Sequence, residues 1–139
     1  MKRAHFALSL VLVVGVLVGG VSTSLVWAQN KAPVTRTELQ RVPLESASGH
    51  EGVMFVADFV PDGVAGRHSH PGEEFLYVLQ GGVVLEPDGG QAVEVKAGGT
   101  GHQPANHIHN VRNASATEPA KVLVILISEQ GQPLAKPAP

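Results

Sequence analysis

Residues Gly63 to Gly81 read GVAGRHSHPGEEFLYVLQG and place His68, His70 and Glu74 within seven positions of one another. In an extended strand successive side chains alternate between faces, so His68 and His70 share one face and Ser69 takes the other. Two imidazoles therefore look into one space. Glu74 keeps the same parity, although Pro71-Gly72 predicts a bend across which alternation need not hold, and Glu73 could then exchange places with Glu74. Phe75 to Leu79 is apolar at every position, which predicts a strand buried on both faces, and Gly81-Gly82 ends it.

Working outward, the same grammar repeats. Upstream, Val53 to Val60 (VMFVADFV) is rich in β-formers and closes at the turn Pro61-Asp62-Gly63. Downstream, Val83 to Leu85 and Ala92 to Val95 flank Pro87-Asp88-Gly89-Gly90, a hairpin composition. Ala97-Gly98-Gly99 turns again, His107 to Val111 reads as a short strand and Lys121 to Ile127 (KVLVILI) as a long one. Helical periodicity is absent after residue 28. Short strands with turn signals about every 8 to 12 residues indicate an all-β sandwich or small barrel. Its expected extent is residues 46–128, preceded over 29–45 by a linker and an edge strand around Thr35 to Val42. Residues 129–139 hold three prolines and predict a loosely attached tail.

Met1 to Ala28 has a different character: Lys2 and Arg3, an apolar run from Phe6 to Val21, then Val26-Trp27-Ala28. A basic start, an apolar middle and a small residue at the exit predict an export signal cleaved after Ala28. Phe6 to Trp27 also has the length to span a bilayer, so an uncleaved membrane anchor is the competing expectation. Both place the domain outside the cytoplasm, in the periplasm or beyond. Removing residues 1–28 leaves 8 basic and 12 acidic residues, a formal charge of 8 − 12 = −4. The basic residues are scattered singly, which argues against a nucleic-acid partner. The chain has no cysteine, which excludes disulfides and thiolate chemistry, and nothing supports a nucleophilic triad around Ser69.

Taken alone, an H-x-H pair after a turn reads as readily as solvated surface. A second segment changes the balance. Gly98 to Asn113, GGTGHQPANHIHNVRN, contains G-x5-P-x-N-x2-H-x3-N at Gly98, Pro104, Asn106, His109 and Asn113; the first segment contains H-x-H-x3-E-x6-G at His68, His70, Glu74 and Gly81. Together they resemble the paired signature motifs of the cupin superfamily, over about residues 52–127. The resemblance implies a double-stranded β-helix, or jelly-roll barrel, in which His68, His70, Glu74 and His109 bind one divalent transition metal ion. There are two departures: Gly63 sits one residue closer to the first His than the family spacing, and Asn106 stands where the family has Gly. Neither removes a ligand, and Asn tolerates a left-handed backbone better than most residues.

Three neutral imidazoles and one carboxylate would leave a divalent ion about one positive charge and, in octahedral geometry, two open positions. Such a set suits Fe, Mn, Co, Ni, Cu or Zn. The expected function is that of a metal-dependent, dioxygenase-like oxidoreductase acting on a small oxygen-bearing molecule, with Glu74 as a candidate base. The rivals are a binding module without catalysis and a metal-assisted isomerase or decarboxylase. His107 shares the parity of His109 and is an expected acid–base group in the pocket, with solvent exposure the alternative. His102 and His50 read as surface residues. The resemblance also implies a homodimer, and the apolar strands Phe75 to Leu79 and Val122 to Ile127 are compatible with one.

Overall fold

The period-two pattern of the sequence is realised residue by residue in strand β2 (His50–Phe59), where Val53, Phe55, Ala57 and Phe59 point inward and their neighbours do not. A computed structural model describes residues 33–139; the expected export segment lies outside the described residues. The remaining strands are β1 (Val34–Pro43), β3 (His68–Ser69), β4 (Glu73–Gln80), β5 (Gly82–Pro87) and β6 (Val93–Lys96), followed by β7 (Thr100–Gln103), β8 (His109–Asn113), β9 (Ala120–Glu129) and β10 (Lys136–Pro137). They form two five-stranded antiparallel sheets, ordered β1-β2-β9-β4-β7 and β10-β3-β8-β5-β6. The described residues therefore form a double-stranded β-helix with no helix in it.

Strand β4 belongs to one layer of a two-layer structure and has a single buried face. That corrects the expectation for Phe75 to Leu79. Leu76 and Val78 are buried, whereas Phe75, Tyr77 and Leu79 are 45%, 44% and 44% exposed. In β9 the same division puts Val122, Val124 and Leu126 inside. These residues pack with Phe55, Val83, Leu85 and Val111 into one core between the sheets, each large side chain contributing about 1.5–3 kcal/mol by leaving water.

The tail is likewise more firmly held than its prolines suggest. Lys136 and Pro137 pair with Ser69 and His68, and the Ala138 amide donates to the Arg67 carbonyl at 3.0 Å. β3 is only two residues long, and β10 covers the edge it would otherwise expose.

The bend at Pro71-Gly72 carries the chain from the second sheet to the first. It passes so close to β9 that a Cβ on Gly72 would lie 1.9 Å from the Ile127 carbonyl oxygen. We expect Gly72→Ala to destabilise the fold by roughly 1–3 kcal/mol or more, as overpacking against rigid backbone does. At Gly52, where a Cβ would meet only Leu44 Cδ2 at 3.5 Å, Ala should be nearly neutral. Chemical denaturation of the two variants is the check, and equal stabilities would contradict the packing described.

Candidate metal centre

The residues nominated by the sequence arrive from both sheets. His68 opens β3 and stands opposite His109, the first residue of β8, in the register of the second sheet. His70 lies in the connection that crosses between sheets, and Glu74 is the second residue of β4 in the first sheet. All four are buried: His68 is 6% exposed, His70 3%, Glu74 4% and His109 0%. The three imidazole centroids are 4.5–5.3 Å apart.

Every ring is oriented by a backbone carbonyl. His68 Nδ1 donates to Gly66 O at 2.7 Å, His70 Nδ1 to Leu134 O at 2.5 Å and His109 Nδ1 to His107 O at 3.1 Å. A carbonyl oxygen only accepts, so the proton of each neutral ring sits on Nδ1 and Nε2 is left with its lone pair. One ring nitrogen from each histidine lies within 4.8 Å of the other two. Glu74 joins from one side, its Oε2 being 3.2 Å from His109 Nε2 and 3.5 Å from His70 Nε2. His70 Nε2, His109 Nε2 and Glu74 Oε2 are buried, and none of them has a hydrogen-bond partner. Buried polar atoms left in that state are costly. Their convergence, with nitrogen and carboxylate donors only, is the arrangement a borderline divalent cation requires, and the residues fit such an ion.

Burial pushes His68 down to about 4, with the charges of His109 and His70 and that of Arg36 acting the same way against the Gly66 hydrogen bond. Burial also lowers His70, only partly opposed by Glu74. For the Glu74–His109 pair burial opposes both charges, but the contact between them prevails. Glu74 is held below the usual carboxylate range and His109 above the usual imidazole range.

The neighbouring candidates fall elsewhere. Glu73 points outward and accepts from His102 Nε2 at 2.6 Å and from the Ala105 amide at 3.3 Å, so the bend keeps Glu74 on the inside. His50 is half-buried at the start of β2 and does not line the cavity. His107 is exposed, which corrects its expected place in the pocket. β8 begins only at His109, and the preceding turn has Asn106 at φ 61°, so strand parity does not extend back to His107. What His107 contributes is its carbonyl. The left-handed Asn106 also explains how Asn replaces Gly there. Gly81, at φ 70° and with Pro119 O only 2.7 Å from where a Cβ would be, admits no side chain. Asn113 is structural: it donates to Val60 O and Glu118 O and accepts from the Ser115 amide.

His68, His70 and Glu74 line a small cavity of about 20 Å³, walled by Phe55, Phe59, Ala65, Val111 and Val124. Two contributors were not singled out from sequence. Leu134 O, which orients His70, belongs to the tail, and Arg36 lines the cavity from β1. Arg36 is paired in register with inward-facing Ala57, a signal visible only once β1 and β2 are aligned.

Fold and site define a small double-stranded β-helix with a buried histidine cluster able to hold one metal ion. The family described as "Cupin domain" matches residues 55–126, and the chain belongs to it. No curated protein matches the sequence. Among solved structures, a cupin-like protein from Thermotoga maritima is similar with a TM-score of 0.61 at 24% identity, over 76% of this chain and 75% of that one. A cupin 2 conserved barrel domain protein from Leptotrichia buccalis has a TM-score of 0.55 at 27% identity, over 73% of this chain and 43% of that one. The DMSP lyase DddQ from Ruegeria pomeroyi has a TM-score of 0.56 at 20% identity, over 63% of this chain, which spans 43% of the lyase. These likenesses carry the fold.

His68→Ala or His109→Ala should abolish stoichiometric metal uptake while His102→Ala leaves it intact, measured by elemental analysis after loading and desalting. Deleting residues 130–139 should weaken metal affinity by about 10–100-fold, the usual effect of removing a partner that orients a ligand. On pH, protons compete with metal for imidazole. Burial holds His68 and His70 below the usual imidazole range, whereas the contact with Glu74 holds His109 above it, so His109 is the ring whose proton competes first with metal as pH falls. Affinity should therefore fall as pH drops through the raised His109 value, and proton release on metal binding should grow over the same range. Calorimetry in buffers of different ionisation enthalpy reads the proton count directly.

Proposed function

We propose that this chain is a mononuclear metal-dependent oxidoreductase, dioxygenase-like, that acts on a small oxygen-bearing organic molecule. The observation that carries this is the cluster of three histidines with a common tautomer, joined by one ionised carboxylate and enclosed by apolar walls. A redox-active divalent ion held there would supply Lewis acidity and electron transfer. The chain's own contribution is enclosure and charge. Phe55, Phe59, Val111 and Val124 limit water at the reacting centre and strengthen every charge interaction inside it. Among the described residues Glu74 is the only carboxylate lining the cavity, and its Oε2 is placed to take a substrate proton.

Anaerobic loading with Fe(II) or Mn(II), followed by oxygen-uptake assays on enolic and phenolic substrates, tests this reading. Uptake that disappears in Glu74→Ala and His109→Ala is expected; no uptake with any redox metal overturns it. A binding module without catalysis is the second reading, favoured by the scarcity of polar groups in the cavity beyond the metal-facing set and Arg36. Thermal stabilisation by a ligand that is never converted would decide for it. Export by Met1–Ala28 and pairing of two copies belong to the same proposal. Export rests on the leader's pattern, and pairing on the family resemblance and the exposed row Phe75, Tyr77 and Leu79.

A further inference from the structure

We propose that Arg36 is the anchor for a substrate carboxylate, so that the site selects small organic acids bearing a second oxygen; this rests on the metal reading above. β1 is the outermost strand of its sheet, and its register sets Arg36 opposite Ala57, which is 5% exposed and faces the core. Residues opposite one another in an antiparallel pair project to the same face. Arg36 accordingly lines the cavity that contains His68, His70 and Glu74.

Its electrostatic situation is unusual among the described residues. Arg41, Arg67, Lys96, Arg112 and Lys121 each sit against a carboxylate, and Lys136, which does not, lies in β10 away from the cavity. Arg36 has neither an ion pair nor a side-chain hydrogen bond there, and it is the only Arg or Lys that lines the cavity. The nearest carboxylate on its own strand, Glu38, is held by Arg41. Glu74, the one carboxylate in the cavity, is drawn to His109 and His70. The guanidinium fork is thus free at the edge of an apolar space whose other polar groups are gathered at the histidine cluster. A guanidinium binds a carboxylate through two parallel hydrogen bonds, which fixes orientation as well as supplying energy. A small acid with its carboxylate on Arg36, its body toward Phe55, Phe59 and Val111, and a hydroxyl or carbonyl oxygen toward the cluster would pair the one cationic side chain that lines the cavity.

The test is calorimetry on the Mn(II)-loaded protein under argon, with short-chain 2-hydroxy and 2-oxo acids and with the methyl esters of the same acids. The acids should bind at least about tenfold more tightly than their esters, the difference one charge-assisted pair makes. Arg36→Gln should erase that preference and Arg36→Lys should restore part of it, with Mn(II) stoichiometry unchanged in both. A role confined to guarding the sheet edge would move aggregation and leave the acid-to-ester ratio alone. Acids and esters binding equally, no acid binding at all, or a preference that survives in Arg36→Gln overturns the proposal while the metal reading stands. A wild-type protein that takes up no Mn(II), Fe(II) or Zn(II) overturns both.

Discussion

Three hydrogen bonds from imidazole Nδ1 to backbone carbonyls are the constraint on which the site depends. They fix the tautomer of each ring and aim three Nε2 lone pairs inward. The acceptors belong to three separate segments: the loop at Gly66, the turn ending at His107 and the tail at Leu134. Each acceptor is in turn held by something that is not a ligand. The first loop and β8 exchange backbone hydrogen bonds, Ala65 N donating to Val111 O and Asn113 N to Gly63 O. The Asn106 amide donates to His70 O at 2.7 Å, tying the two His-bearing segments directly. Ala138 N donates to Arg67 O and seats the tail. The secondary elements that seem peripheral to the centre are thus those that orient it.

The cost of assembling this cluster explains why it sits where the sheets meet. Three imidazoles and a carboxylate have been removed from water, and burial works against the charged form of each. A site on one sheet alone would need neighbouring strands to carry all four groups on one face. That would replace core residues such as Phe55, Val124 and Leu126 that hold the first sheet to the second. Distributing the groups over β3, the crossing connection, β4 and β8 removes only one or two core positions from each. The bend at Gly72 makes this distribution possible, and the β9 backbone occupies the space a side chain would need.

Much of this was legible in the sequence because it depended on local rules. His68 and His70 share a face because the strand period is two, and the turn residues placed most strand boundaries within a few positions. Asn106 does adopt the left-handed backbone that its place in the second segment required. What was hidden depended on pairing between distant segments. Phe75 to Leu79 is apolar throughout, and nothing in the run itself tells which half faces the core. His107 has the right parity but lies before the strand starts, and strand starts are set by hydrogen bonds to a neighbour. The prolines of the tail describe its internal stiffness and are silent about the open edge of β3 that the tail covers. Arg36 could be assigned a face only by its pairing with Ala57.

Arg36 also bears on the charge of the whole molecule. The chain after residue 28 has a formal charge of −4, which by itself would disfavour anionic ligands. Long-range charge, however, is screened within about 8–10 Å of water at physiological salt, whereas groups facing a low-dielectric cavity interact more strongly. Around the cavity the local sum runs the other way: Glu74 is matched by His109, the exposed Arg36 at the rim is unmatched among the described residues, and a divalent ion would add further positive charge. A net-acidic protein can therefore present an anion-attracting interior. The sign of the ligand is decided by the few groups that line the cavity, while the surface charges serve solubility.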